Sequence, residues 1–335
     1  MKQYQRISII LACVAIGVIG ATVLERGATA EATEARAAAI KELPAEDPEV
    51  AAFWAAAVAE KGGRKAYMWF GEVYSHLSEV QQHSYAHVFG EALYKTEGIP
   101  GVAVCDSGYG FGCYHSFFGR ALIENGLSIL SELDQACIDA YGPKGLGCQH
   151  GIGHGVIAEL GYDELNKSLE ACMRLNWQGP IGGCTSGVFM EYNFATMQQA
   201  DMRQPGEWGM HHPCTEVDDR YIEACYFEQP AWWSALNGQD YAAVGDLCSE
   251  IEDQKGREAC YRGAGNVIAG LQEYDVDEML AACGTMPDRE GEMLCIEGAV
   301  WIVSNQPAFK DEWERLCDSL DGEYHRRCLM SHDLI

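Results

Sequence analysis

The chain has 335 residues, enough for one large domain or two medium ones. Its 23 Lys and Arg stand against 50 Asp and Glu, a formal charge of −27. Nucleic acid and anionic membrane surfaces are polyanions, so this charge argues against both as partners.

At the N-terminus Lys2 and Arg6 precede an uncharged apolar run from Ile7 to Leu24, and Ala28-Thr29-Ala30 offers a small-x-small cleavage site. Residues 1–30 read as a signal peptide or as a single N-terminal membrane anchor, since a run of 18 residues is about enough to cross a bilayer. Either way Lys2 and Arg6 stay inside and the body is exported, so the expected location is periplasmic or secreted, free or held at the inner membrane. Ile10-Leu11-Ala12-Cys13 has the outline of a lipoprotein box, but the residues after Cys13 stay apolar and the reading fails. Residues 31–65 are rich in Ala and Glu, with breaks at Pro44 and Pro48. They read as a spacer leading into a first helix at Ala51–Ala59, with Trp54 as its anchor.

From residue 66 to 335 the chain is repetitive. Leaving out Cys13, its 14 cysteines form seven successive pairs: Cys105/Cys113, Cys137/Cys148, Cys172/Cys184, Cys214/Cys225, Cys248/Cys260, Cys283/Cys295 and Cys317/Cys328. The second cysteines recur at intervals of 35, 36, 41, 35, 35 and 33, the period of a helical-hairpin repeat. The first cysteine of a unit is expected to close one helix and the second to open the next, with glycine three residues on, as at Gly151, Gly187, Gly263 and Gly298. Such a glycine lets the backbone approach its neighbour closely. An exported chain with an even cysteine count reads as a disulfide framework, and each pair is expected to staple its own hairpin. An unstapled copy precedes them: Ser84 to Leu93 aligns without gaps on Cys113 to Leu122. The prediction is an all-α fold of about eight hairpins, forming an α/α superhelix or a closed toroid. Residues 196–213 lengthen one period and carry His211-His212-Pro213, which reads as a loop.

Histidines, unlike cysteines, are not spread evenly. His83 and His87 are four apart, as are His150 and His154, and on a helix that spacing puts both imidazoles on one face, where two can grip one metal. His115 and His150 share one repeat position, two after the second cysteine; later copies hold Ser186, Phe227, Arg262, Glu297 and Met330 there. A requirement of the hairpin itself would persist through the array, and this one does not. A single helical histidine is usually a surface filler, but five in three successive repeats point to a shared site. With the cysteines committed to disulfides, nitrogen and oxygen ligation suits zinc, copper(II) or non-haem iron. Glu191 is the carboxylate placed to act as a base, with Glu91 and Glu159 as further candidates. No haem-attachment, phosphate-loop, serine-elbow or zincin pattern is present. Trp232, Trp233 and Tyr226 could line a groove, although aromatic residues at such spacings are more often core.

Three resemblances follow from these residues. The paired cysteines over residues 66–335 resemble secreted, disulfide-stapled relatives of tetratricopeptide-type repeats, which implies a binding scaffold; of the spacings, the first pair's eight agrees with them. Cys113-Tyr114-His115, Cys148-Gln149-His150-Gly151-Ile152-Gly153-His154 and Phe189-Met190-Glu191 resemble exported bacterial proteins of unassigned activity. The Gly-rich runs after Cys148 and Cys260 are also similar to the inner helices of the lanthionine cyclases, whose toroids hold zinc with two Cys and one His. Gln149 interrupts that family's Cys-His-Gly run, and paired cysteines are not thiolates. The reading is therefore an exported repeat protein with a divalent-metal site at His83, His87, His115, His150 and His154. It would be a metal-dependent enzyme using Glu191, or a metal-binding protein. The partner expected is an unknown small molecule or an envelope protein, and the rival reading is a non-enzymatic periplasmic scaffold that takes a peptide or an envelope protein on its concave face.

Overall fold

A computed structural model describes residues 36–142, 145–176, 179–198, 204–306, 309 and 311–331; the apolar run at 7–24 and its cleavage site lie outside them. Among the described residues there is no strand, and no helix is long and apolar enough to cross a membrane. The helices are α1 (Pro48–Lys61), α2 (Gly63–Tyr74), α3 (Glu79–Glu97), α4 (Gly112–Asn125), α5 (Leu130–Tyr141), α6 (Leu146–Leu160), α7 (Leu165–Cys172) and α8 (Cys184–Gln198). They continue as α9 (Ile222–Leu236), α10 (Tyr241–Ser249), α11 (Gln254–Leu271), α12 (Val276–Cys283), α13 (Arg289–Ser304), α14 (Trp313–Asp318) and α15 (Gly322–Ser331).

Part of the acidic excess is used at helix starts. Asp240, Asp253, Asp275 and Asp288 cap α10, α11, α12 and α13, each accepting a hydrogen bond from a first-turn backbone N–H. A carboxylate there satisfies an orphan donor and faces the positive end of the helix dipole, worth about 1 kcal/mol per cap. Ser78 and Gln81 close a capping box at the start of α3.

All seven cysteine pairs are bonded, with Cα separations of 5.4–5.6 Å. Five of them join the two helices of a hairpin, as Cys283 at the end of α12 does with Cys295 in α13. Two differ from the expectation. Cys105 follows a short 3-10 helix, Ile99–Val104, and Cys214 sits in turns after the insertion, so neither closes an α-helix. The wall of the hairpin shrinks there while the staple remains.

The helices carrying the first six of the second cysteines, with the unstapled α3 ahead of them, pack side by side in chain order: α3, α4, α6, α8, α9, α11, α13; α15, which carries Cys328, packs on α13. Glycine makes this possible. A Cβ on Gly265 would lie 1.8 Å from the carbonyl oxygen of Cys295, and one on Gly298 would lie 1.9 Å from that of Arg262, so α11 and α13 each press a glycine against the other's backbone. Gly153 and Gly187 repeat the arrangement between α6 and α8. The segment before α4 meets the far end of the row, where the Ser107 hydroxyl donates to the Asn305 carbonyl at 2.9 Å. Phe227 of α9 faces Trp301 of α13 across the interior, ring centroids 5.8 Å apart.

The first helix is part of this core. Trp54 of α1 is fully buried, its centroid 5.2 Å from Phe70 and 5.7 Å from Phe89, and its indole N–H donates to the Tyr74 hydroxyl at 3.3 Å. Trp232, Trp233 and Tyr226 are buried as well, which makes them core side chains and removes them as anchors on an open face. The insertion is tied onto α9: the Gln229 amide donates to the Met210 and His212 carbonyls, and the Trp233 N–H to that of Met210.

Candidate metal centre

The site forms where α3, α4, α6 and α8 lie side by side. Helical spacing puts His83 and His87 on one face of α3, and α4 brings His115 against them. The Nε2 atoms of His87 and His83 are 3.0 Å apart, and His115 Nδ1 lies 3.3 Å from His87 Nε2; ligand atoms of the three lie within 4.8 Å of one another. Three nitrogens held at ~2.0–2.1 Å in a tetrahedral set would stand roughly 3.3 Å apart, and two of the three separations here are close to that, so the triad could hold a metal.

Hydrogen bonding alone accounts for this cluster poorly. His83 Nδ1 lies 2.8 Å from the Tyr109 carbonyl, which can only accept, so the proton is on Nδ1 and the neutral ring points a bare Nε2 at His87. One N–H on His87 Nε2 can serve His83 or His115 but leaves no lone pair for the other. A cation satisfies all three. Burial, with the neighbouring rings, keeps these imidazoles unprotonated: it lowers His83, takes His87 down to about 3 and holds His115 well below the ordinary range.

The carbonyl that orients His83 comes from an unusual turn. Tyr109, Gly110 and Phe111 are successive left-handed residues, with φ of 56°, 58° and 64°. Two of the three carry side chains, and such positions are held only where the surroundings enforce them, often at functional sites. Here Tyr109 is fixed by ring contacts with Tyr67 and Phe70, and the Tyr67 hydroxyl donates to Asp106 at 2.8 Å. A ligating histidine held through its second nitrogen by a carbonyl is the usual outer support of a metal site. The alternating glycines of Gly108-Tyr109-Gly110-Phe111-Gly112 are the sequence signal for this turn, one that cysteine and histidine spacing does not pick out.

His150 and His154 extend the cluster without joining the triad. The His154 ring stacks on His115 at 4.1 Å and lies 4.8 Å from His150. His154 Nδ1–H donates to Glu191 Oε2 at 2.8 Å, and the Tyr162 hydroxyl donates to Oε1 at 2.9 Å. Burial pushes the Glu191 carboxyl up, but the His154 and Tyr162 hydrogen bonds outweigh it and hold the group below the usual carboxylate range. His154 is 4% exposed, and its Nε2 has no hydrogen-bond partner among the described residues. His150 turns the other way, with Nε2 3.1 Å from the Met190 sulfur, and burial holds its pKa well below the ordinary value. Of the remaining carboxylates, Glu91 pairs with Lys95 and Glu159 is exposed.

A cleft of about 260 Å³ opens beside the triad, lined by His87, His115, His154 and Glu191, with Glu91 and Arg120 at its edge. On the other side of His115 and His150 lies a second cavity of about 220 Å³, walled by Phe111, Phe227, Trp301 and Glu228. Position two after the second cysteine faces inward along the row: His115, His150, Ser186 and Phe227 all line this second cavity, while Arg262 and Glu297 pair at 3.2 Å.

Glu228 is a functional candidate that histidine clustering does not reveal, although a signal exists: it occupies the position where four other copies have glycine. It is 4% exposed and accepts a hydrogen bond from the Ser186 hydroxyl. Burial pushes its carboxyl up to about 8, against the opposing effect of that hydrogen bond. A pKa raised on folding stabilises the protein at low pH, and the contribution is lost as pH rises from the unfolded value near 4.5 towards 8. Glu228→Gln is therefore expected to flatten that fall. At pH 8 the variant should exceed wild type by a few kcal/mol, since each pH unit crossed between the two values costs the wild type ~1.4 kcal/mol. At pH 4.5 the two should agree. Urea melts across that range measure it; parallel curves would refute the buried neutral carboxyl.

Comparison with protein-family models, with curated proteins and with solved structures finds no match for this chain.

Proposed function

We propose that the chain is an exported metalloprotein whose His83, His87 and His115 hold one divalent transition metal, zinc, copper or iron, and that the centre is catalytic. The observation that carries this is the convergence of three half-buried imidazoles, with nitrogens at 3.0 and 3.3 Å that one proton cannot satisfy. Structural metal sites are closed by four protein ligands, whereas catalytic ones keep a position open. A three-histidine set, two of whose members, His87 and His115, line a cleft, fits the second kind. A metal bound there would supply Lewis acidity and lower the pKa of a bound water.

The remaining residues divide the work. Both oxygens of Glu191 are engaged, by His154 and Tyr162, which suits it to orienting His154 more than to taking a proton itself. His154 Nε2, bare and without a partner among the described residues, is then the proton acceptor at the cleft. Seven disulfides argue for an oxidising compartment, periplasmic or extracellular, in keeping with the expected export. We further propose that the hairpins form a toroid, an arrangement supported by the Ser107–Asn305 hydrogen bond and by the cavity shared among α4, α6, α8, α9, α11 and α13.

Metal analysis of protein purified from the periplasm tests the reading. Wild type is expected to carry about one equivalent of metal, or to take up one from zinc, copper(II) or iron(II). His83→Ala and His87→Ala should take up none, while His154→Ala and the loop control His211→Ala/His212→Ala keep the full equivalent. A wild type that none of the three metals will load sinks the proposal.

A further inference from the structure

The cavity on the far side of His115 and His150 has walls unlike those of the metal cleft. Phe111, Phe227 and Trp301 give it flat apolar faces, Glu228 supplies its acidic group, and Asn266 is one of three amides beside it, with Asn305 and Gln306. Among the described residues no Lys or Arg lines it, so no fixed positive charge there would balance a negative ligand. The Asn266 Oδ1 is buried and has no hydrogen-bond partner among the described residues, an acceptor that a modest turn of the amide could offer to an N–H. Aromatic faces attract cations through the ring quadrupole, and the net charge of −27 raises their local concentration.

From these walls we infer that the cavity binds a small organic ammonium ion with an apolar tail, its nitrogen on Glu228 and Asn266 and its tail against Phe227 and Trp301. The proton on the empty cavity's buried carboxyl is released when the cation arrives, since an opposite charge within contact favours the ionised form. The ammonium's partners are not metal ligands, so binding does not require the metal. Of the triad, His115 lines both the cavity and the metal site, but His83 and His87 do not line it, and the two groups assigned to the ammonium come from α9 and α11.

The test uses phenethylamine as probe, with 2-phenylethanol as its neutral isostere and 3-phenylpropionate as the anion. Tryptophan fluorescence and calorimetry follow binding to the full chain, both metal-loaded and stripped with a chelator. Phenethylamine is expected to bind saturably and equally to both forms. The alcohol should bind at least about tenfold more weakly, because it lacks the charge-assisted hydrogen bond. Glu228→Gln keeps the shape of the side chain and should bring amine and alcohol to within about twofold of each other. Gly270→Leu, at a cavity-lining glycine where a Cβ meets nothing within 4 Å, should weaken the amine roughly tenfold by filling space without disturbing the helix. Equal binding of amine and alcohol by wild type, or amine binding seen only with metal loaded, overturns the inference. So does wild-type affinity in both variants. Loss of metal from the triad with amine binding intact would remove the proposed function and leave this site standing.

Discussion

Reduction of the disulfides is expected to unfold the chain at room temperature. Each bond closes a loop with a sequence separation of 8, 11 or 12, for which the chain-entropy model gives ~2.5–3 kcal/mol apiece. The loops do not overlap in sequence, so the seven contributions are close to additive and come to roughly 18–20 kcal/mol. A natural domain has ~5–15 kcal/mol of net stability, less than the staples supply together. Far-ultraviolet circular dichroism in urea, with and without a phosphine reductant, measures it. A cooperative transition that survives reduction would mean the helix packing stands without them. Replacing one pair alone, Cys317→Ser with Cys328→Ser, should cost only ~3 kcal/mol and leave a folded protein.

The second large effect is expected from one side chain placed where only a hydrogen fits. Gly265→Val puts a Cβ where the Cys295 carbonyl oxygen lies 1.8 Å away, far inside the 3.0 Å that real contacts respect, and backbone cannot step aside as a flexible side chain can. The helices α11 and α13 must separate, and the reciprocal contact at Gly298 is lost with the first. The expected loss is at least ~3 kcal/mol, the upper end for overpacking. Gly270→Ala on the same helix is the control: nothing lies within 4 Å of its Cβ, and helix propensity should raise stability by up to ~1 kcal/mol. Equal effects of the two substitutions on the urea midpoint would contradict the close backbone packing described for the row.

What the sequence made legible was whatever is local or periodic. The seven cysteine pairs could be read because each bond joins neighbours in the chain, and the glycine after the second cysteine could be read because the hairpin repeats it. His83 and His87 could be paired because helix geometry fixes side chains four apart on one face. Their meeting with His115 depended on how closely α3 and α4 approach, set by Gly90 against the Cys113 carbonyl, and spacing alone does not give that distance. The direction of His150 was hidden for a related reason: it shares a repeat position with His115 yet turns to Met190, a residue 40 positions on. The left-handed turn at Tyr109 and Phe111 is hidden because such residues seldom adopt it, and Glu228 because a single departure from a glycine pattern is fainter than the pattern.

The pairing of each cysteine with its nearest neighbour also bears on how the protein matures. Fourteen cysteines allow a very large number of connectivities, and a chain with interleaved bonds usually needs repeated reshuffling to find the right one. Here a chain entering an oxidising compartment amino end first would present its cysteines in the order in which they are to be joined. Leaving out Cys13 in the apolar N-terminal run, Cys113 would emerge with only Cys105 before it, and once they are joined Cys137 would wait alone for Cys148. Oxidation in order of arrival would give the native set, so a strong oxidant with no isomerase is expected to be enough to make this protein.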